Sequence, residues 1–169
     1  VFIADQSHRF RADKLSRHLG LLRPVKRTVP RCVTAKGLAK AKGMTKLNQY
    51  MARGIELLGS DFAILCGAMS WVSERNLVSA ISNAGGFGVI ACGAMTPELL
   101  DAEITATKAL ASRNFGVNLI TMHPQLFDLI EVCAKHDVTH VVLAGGLPPK
   151  GSLEAIKASG AKAICFAPT

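Results

Sequence analysis

Residues 61–93 read DFAILCGAMSWVSERNLVSAISNAGGFGVIACG, and their pattern is the most informative about the fold. The apolar run 62–66 predicts a buried strand, and the small residues of 67–70 predict a loop after it. A helical pattern follows, and residues 88–91 predict a second buried strand. Strand, helix and strand at this spacing indicate a βαβ crossover, and parallel folds bind ligands in the loop after a strand.

The helix within this stretch has recognisable ends. Ser73 is the expected N-cap, with Glu74 favourable in the first turn. Leu77, Val78 and Ile81 fall on one apolar face. Glycines at 85 and 86 end the helix, because glycine adopts the left-handed cap conformation without steric cost. The run 85–88 resembles a phosphate loop, but it precedes a strand, so we predict a helix cap and a tight turn instead.

The same strand-and-helix unit repeats along the chain. Pro97 after Thr96 predicts one helix start, and Pro124 is expected to open the next helix. Further helical patterns occupy 45–58 and 152–159. Strands are expected to begin near residues 62, 88, 115, 139 and 162, and the helix after Pro124 to bury Leu126, Leu129, Ile130 and Cys133. This period predicts a parallel α/β sheet, and both an open doubly wound sheet and a (β/α)₈ barrel fit it.

The positive charge is confined to the first quarter of the chain. The whole sequence has a net charge of +8, of which residues 1–43 contribute +9 and residues 44–169 contribute −1. The globular region 44–169 is therefore not expected to bind nucleic acid. Three interpretations of 1–43 stay open: a non-native extension upstream of Met44, an Arg-rich targeting presequence, or a basic arm for nucleic acid or membrane.

The five cysteines form no Cys-x-x-Cys pair. They are expected to be reduced and mostly buried, as in a cytoplasmic protein, with a catalytic thiolate as the alternative. No apolar run approaches the roughly 20 residues that a transmembrane helix needs, so no membrane association is expected.

Four stretches in order resemble the nitronate monooxygenase family, formerly called 2-nitropropane dioxygenases. They are residues 67–72 (GAMSWV), 82–88 (SNAGGFG), 115–119 (FGVNL) and 144–149 (AGGLPP). The resemblance covers residues 44–169 and implies an FMN-dependent (β/α)₈ TIM barrel. Because such a barrel takes roughly 250 residues, it also implies an incomplete barrel of about five strands here. A part barrel with an open strand edge is expected to be poorly stable alone or to associate.

The resemblance also implies a cofactor site. Ala68, Met69 and Ser70 would pack their backbone against the FMN ring, although many relatives have proline where this chain has Ala68. Asn118 is expected to end the third strand and to bond the flavin or a nitro group. Gly145 and Gly146 would let the backbone approach the ligand closely, although a plain turn explains them almost as well. On sequence alone, the Met69 side chain also fits a core position.

No catalytic residue is expected within this chain. The family's histidine follows the sixth strand, and the loops that hold the FMN phosphate follow the seventh and eighth strands, all beyond Thr169. His123 follows the third strand, where a solvated loop histidine is expected. His136 and His140 are four residues apart, but Asp137 interrupts the helix between them, so no metal pair is expected.

Three functions follow from these patterns. The resemblance implies an FMN-dependent oxidoreductase that oxidises alkyl nitronates with O₂, with the isolated chain inactive. A flavin-dependent enoyl-thioester reductase shares the barrel and similar early motifs, and is the alternative within the same class. A non-catalytic fragment whose basic residues 1–43 bind an acidic partner is the alternative from another class. The oligomeric state is not predicted.

Overall fold

A computed structural model of the protein describes residues 44–166. The basic segment 1–43, with its three interpretations, lies outside the described residues. Within 44–166, helices and strands alternate in the order α1 (Met44–Leu58), α2 (Arg75–Asn83), β1 (Val89–Ala91), α3 (Pro97–Leu110), β2 (Gly116–Ile120), α4 (Leu126–Lys135), β3 (His140–Ala144), α5 (Ser152–Ala158) and β4 (Lys162–Cys165).

The four strands form one parallel sheet in the order β1-β2-β3-β4. Each strand pairs with the next one along the chain, with Val89 opposite Gly116, Gly116 opposite His140, and His140 opposite Lys162. A doubly wound sheet reverses its strand order at a switch point, whereas a barrel adds strands sequentially. The sequential order confirms the predicted α/β fold and identifies it as an incomplete TIM barrel.

The predicted first strand at 62–66 is wrong in its extent. Leu65 makes an isolated parallel bridge with Phe87. Cys66 N donates to Phe87 O (2.9 Å) and Phe87 N donates to Ile64 O (2.9 Å). The segment 62–66 lies beside residues 85–87, which form a turn, and not beside β1. Its strand pairing is therefore limited to the single bridge between Leu65 and Phe87. The direction is still parallel, so the predicted βαβ crossover is preserved in reduced form.

The sheet has two differently filled faces. Its outer face packs against the helices and forms the main core, with Leu100, Ile104, Leu119, Leu129 and Ile156 completely buried. The predicted buried face of α4 is confirmed, since Leu126, Leu129, Ile130 and Cys133 all lie in this core. On the inner face, Leu58, Phe87, Val89 and Val142 form a smaller cluster. Alternation along each strand assigns Asn118 to this inner face.

Several helix boundaries agree with their local signals. Thr96 caps α3, and its side chain accepts a hydrogen bond from Leu99 N. Gly85 follows α2 with φ +96°, as predicted for a glycine that ends a helix. Gly88 lies so close to α2 that a Cβ there would stand 2.5 Å from Val78 O. The glycine run 85–88 is therefore a helix cap and a tight turn, as predicted.

Two helix starts differ from the prediction. Glu74, not Ser73, caps α2, and its carboxylate accepts from Asn76 N (3.0 Å) and Leu77 N (3.2 Å). The Ser73 hydroxyl does not cap the helix because it bonds Met69 N and Gly67 O in the preceding loop. Pro124 lies in a turn, and α4 begins at Leu126 without a side-chain cap.

Helix α1 is anchored by its carboxyl end to the amino end of the sheet. The Leu57 carbonyl accepts hydrogen bonds from His140 Nε2 (2.7 Å) and Lys162 Nζ (2.6 Å). Burial lowers the pKa of His140, with the nearby Lys162 charge acting in the same direction and the bond to Leu57 opposing it. His136 instead pairs with Asp101. Within residues 44–166, no group of His, Cys, Asp and Glu side chains is suited to hold a metal ion.

The cysteines in the described part of the chain are all free thiols. Cys92 and Cys133 are buried, whereas Cys66 is half-buried and Cys165 is exposed, so the expectation of mostly buried cysteines holds for only two of these four. Cys32 lies outside the described residues. None of the helices in residues 44–166 has both the length and the apolar character that crossing a membrane requires.

Candidate ligand site at the carboxyl edge of the sheet

The expected site residues lie near the carboxyl edge of the parallel sheet. The loop 67–72 follows the Leu65 bridge, and the loops at 92–95, 121–124 and 145–150 follow β1, β2 and β3. Because all these strands are parallel, their following loops emerge at the same edge. Parallel sheets bind ligands at this edge, so the arrangement supports the site predicted from sequence.

Ser73 determines the shape of the first loop. Its hydroxyl is 1% exposed, donates to Gly67 O (3.2 Å) and accepts from Met69 N (3.0 Å). Its carbonyl accepts from Ala91 N (3.0 Å), which joins the loop to the end of β1. One buried residue therefore closes the loop on itself and fixes it to the sheet.

The three residues predicted to face the flavin have different surroundings. Ala68 packs against the inner-face cluster, while the Met69 side chain is 48% exposed, so the core interpretation of Met69 is wrong. Met69 N and O are already bonded within the loop. The backbone groups of Ala68 and Ser70 make no hydrogen bond with any residue of 44–166. Together with Gly67 N and the backbone groups of Trp71, which are also unpaired within the described residues, they are the backbone groups of this loop available to a ligand.

Trp71 was not singled out by sequence reasoning. It is 82% exposed and has φ +65°, a left-handed conformation that is strained for a bulky side chain. Such strain costs about 1–3 kcal/mol and is concentrated at functional sites. The Ser73 bonds and the Val72 N to Met69 O turn hold the loop around it, and a bulky residue type by itself does not predict a left-handed conformation.

Asn118 lies inside β2 and not at its end, which corrects the prediction. It is 9% exposed and lies in register with Ala91 on one side and Val142 on the other. Its backbone carbonyl accepts from Cys92 N (3.1 Å), but its side-chain amide bonds none of the described residues. The amide therefore retains both donor and acceptor capacity on the inner face.

Glycines keep the edge of the sheet open around Ile120. A Cβ at Gly93 would stand 3.3 Å from Ser70 Oγ and 3.7 Å from Ile120 Cγ1. A Cβ at Gly145 would stand 3.2 Å from Ile120 Cγ2. The structure thus brings Gly93 and Gly145, from the loops after β1 and β3, against the Ile120 side chain, with Ser70 Oγ beside Gly93. Gly145 and Gly146 have φ +94° and +151°, which favour glycine.

Thr121 is a second residue that sequence reasoning missed. It follows β2 directly, is 5% exposed, and its Oγ1 is buried without a hydrogen-bond partner among the described residues. A Cβ at Gly146 would stand 3.3 Å from this oxygen. The sequence gives little indication of this role. Whether a Thr at the end of a buried strand finds a hydrogen-bond partner depends on the residues that follow the neighbouring strand.

The reactive side chains near this edge do not form a catalytic group. His123 Nδ1 accepts from Gln125 N (3.1 Å), which places this histidine in the turn before α4. Burial raises the pKa of Cys92 to about 11, so its thiol stays protonated at neutral pH. Cys133 lies in the helix-side core, where burial raises its pKa to about 12. The alternative of a catalytic thiolate gains no support at Cys92 or Cys133.

The site is an open edge and not an enclosed cavity. The cavity lined by Ser70, Trp71 and Gly93 has a volume of about 10 Å³. Larger cavities lie elsewhere, at the amino ends of the strands (about 330 Å³, beside His140) and between α3 and α4 (about 490 Å³, beside Glu98). Neither larger cavity contains an expected site residue. The described residues therefore offer an open edge whose glycines and unpaired polar groups suit a flat ligand.

Comparison with known proteins identifies the same family that the sequence motifs resemble. The nitronate monooxygenase family model matches residues 52–144, which is more than half of the chain. A Mycobacterium tuberculosis "(3aS,4S,5R,7aS)-5-hydroxy-7a-methyl-1-oxo-octahydro-1H-indene-4-carboxyl-CoA dehydrogenase" is 37% identical over 110 residues, which are 64% of this chain and 30% of that protein. A nitronate monooxygenase from Paraburkholderia phytofirmans is 35% identical over 74 residues, 44% of this chain and 20% of that protein.

A solved structure supports the fold as well. FabK from Thermotoga maritima superimposes with a TM-score of 0.64 at 35% identity, covering 67% of this chain and 36% of that one. The chain therefore spans between 20% and 36% of the lengths of these three proteins. The family model, the sequence relatives and the barrel geometry agree, and the chain belongs to the nitronate monooxygenase family.

Proposed function

We propose that residues 44–169 supply the ring-facing wall of an FMN site in a flavin-dependent oxidoreductase. The observation that carries the proposal is unused hydrogen-bonding capacity at one edge of the sheet. The Asn118 amide and the backbone groups of Ala68 and Ser70 bond none of the described residues. They occupy the edge at which parallel α/β folds bind cofactors. Bound FMN would supply the two-electron redox chemistry.

Each residue of the wall has a separate task. Ala68 and Ser70 offer backbone groups to the ring edge, while the short Ala68 side chain fills the inner-face cluster below. The Asn118 amide donates and accepts, which matches the alternating N–H and C=O groups of a flavin pyrimidine ring. Gly145 and Gly146 allow the backbone to approach the ligand without a Cβ between them. Met69 bonds inside its own loop, so its contribution is limited to its exposed side chain.

The proposed substrate is an alkyl nitronate, with O₂ as the oxidant. The family model and the nitronate monooxygenase from P. phytofirmans support this choice. The described residues include neither a base at the open edge nor a cradle for the FMN phosphate, so the 169-residue chain alone is expected to be inactive. We also propose that the basic segment 1–43 is separate from the barrel part 44–169 and that the protein is cytoplasmic.

A thioester substrate is the second candidate. The M. tuberculosis relative, whose name includes a carboxyl-CoA group, aligns over 110 residues, compared with 74 for the nitronate monooxygenase. The loops of the carboxyl edge also expose large apolar side chains: Met69, Trp71, Met122 and Leu147. An apolar rim suits a bulky acyl group better than a small nitronate. Salt-dependent binding of nucleic acid by the whole chain would instead support the non-catalytic alternative.

Titration of FMN with the chain tests the proposal through quenching of flavin fluorescence. Asn118→Ala should weaken FMN binding roughly tenfold, because a buried amide can make two bonds worth about 0.5–1.5 kcal/mol each. Asn114→Ala is the matched control, because Asn114 lies in the loop before β2, at the opposite end of the sheet. No FMN binding by the wild-type chain, or equal binding by both variants, would refute the proposed site. A ligand that binds beside the FMN ring perturbs the flavin absorption spectrum without turnover, so the perturbation caused by propane-1-nitronate or by crotonyl-CoA separates the two substrates.

A further inference from the structure

The Thr121 hydroxyl is the one buried side-chain oxygen or nitrogen in the described part of the chain that has no hydrogen-bond partner. Buried polar groups in folded proteins are nearly always bonded, and an unpaired one is destabilising. The other buried threonine of this region shows the usual arrangement, since Thr107 Oγ1 donates to Glu103 O (2.8 Å). The exception at Thr121 therefore needs an explanation.

The surroundings of Thr121 explain why no protein group reaches it. Its backbone N–H donates to Ala144 O (2.8 Å), which places its side chain against the loop after β3. The nearest parts of that loop are Gly145 and Gly146, and Cβ atoms there would stand 3.7 Å and 3.3 Å from Thr121 Oγ1. Neither glycine has a side chain that could bond the hydroxyl. On this side the oxygen therefore faces two residues that offer it no side-chain partner.

We infer that Thr121 is a further ligand-contacting residue, whose hydroxyl donates a hydrogen bond to an oxygen atom of a molecule bound at the carboxyl edge. The inference rests on the proposed function, since that function supplies the ligand. A carbonyl of the flavin, an oxygen of a nitronate and the carbonyl of a thioester all offer the required acceptor. Because the hydroxyl is buried in the ligand-free protein, the inference requires the backbone at Gly145 and Gly146 to move when the ligand binds, and glycine readily adopts several backbone conformations.

This role predicts opposite effects on stability and on binding. Thr121→Val keeps the shape of the side chain and removes the unpaired oxygen, so the urea midpoint of the ligand-free chain should rise. The same substitution removes the bond to the ligand, so binding should weaken about three- to tenfold. Thr121→Ser retains the hydroxyl and should bind like the wild type. Thr107→Val is the control, since loss of its internal bond should lower the urea midpoint and leave binding unchanged.

The measurements use the full 169-residue chain in urea unfolding and in titrations with FMN and then propane-1-nitronate or crotonyl-CoA. A weaker FMN affinity in Thr121→Val assigns the acceptor to the flavin, whereas a weaker affinity only for the second ligand assigns it to the substrate. A lowered urea midpoint would show that the hydroxyl is already bonded within the protein and would overturn the inference. Unchanged binding of every probe would overturn it and leave the proposed function intact. Failure of the wild-type chain to bind FMN would overturn both.

Discussion

Ser73 offers the sharpest test of how the first loop is held. Ser73→Ala removes the bond donated to Gly67 O and the bond accepted from Met69 N. Two bonds at about 0.5–1.5 kcal/mol each predict a loss of about 1–3 kcal/mol in the free energy of unfolding. The Met69 N–H also loses its partner, which frees the loop from the geometry that turns Ala68 and Ser70 toward the site. FMN affinity should therefore fall about tenfold or more.

The neighbouring residue provides the control. Glu74→Ala removes the α2 cap, which consists of bonds from Asn76 N and Leu77 N, and should cost about 1 kcal/mol of stability. It leaves both Ser73 bonds intact, so FMN affinity should stay at the wild-type value. The assays are urea unfolding and flavin fluorescence quenching on both variants. Equal losses of FMN affinity in the two variants would refute the positioning role, since loss of stability would then account for both. Thr at position 73 should restore much of the binding.

Three further predictions concern the scaffold. Folding lowers the pKa of His140, so the unfolded chain takes up a proton at a higher pH than the folded chain does, and stability should fall as the pH drops below about 6.5. His140→Gln should make the urea midpoint depend less on pH between pH 5 and 8. A wild-type midpoint that rises on acidification would contradict this prediction. Gly88→Ala should lower the free energy of unfolding by about 1–3 kcal/mol, because the added Cβ would stand 2.5 Å from Val78 O. Gly67→Ala is the control and should be close to neutral in the same urea titration, because no atom lies within 4 Å of its Cβ. Iodoacetamide at pH 8 should label the exposed Cys165 long before Cys92 and Cys133, because burial raises the pKa of Cys92 to about 11 and that of Cys133 to about 12. Peptide mass spectrometry checks the order of labelling. Early labelling of Cys133 would contradict the prediction and show that the helix-side core opens.

The repeating parallel α/β architecture was predictable from the sequence, because hydrophobic periodicity and helix ends are local signals. Thr96-Pro97 marks the start of α3, and Gly85 marks the end of α2 in the left-handed conformation that glycine favours. These fold predictions succeeded because each depends on a few neighbouring residues or on the parallel direction of the strands. The cofactor site that the family motifs imply at Ala68, Ser70 and Gly145 stays a prediction.

The structure was needed for the details that depend on which of several possible partners a group meets, whether nearby in the chain or far along it. Ser73 is a suitable cap by local rules, but it bonds the loop before it, and Glu74 caps α2 instead. The run 62–66 has the composition of a strand, yet its pairing is limited to Phe87 because only one residue there lies beside it. Thr121 lacks a partner because the two glycines facing it come from another strand's loop, about 25 residues later. Local sequence signals give no information about such neighbours, since hydrogen-bond satisfaction is fixed only when the strands are packed.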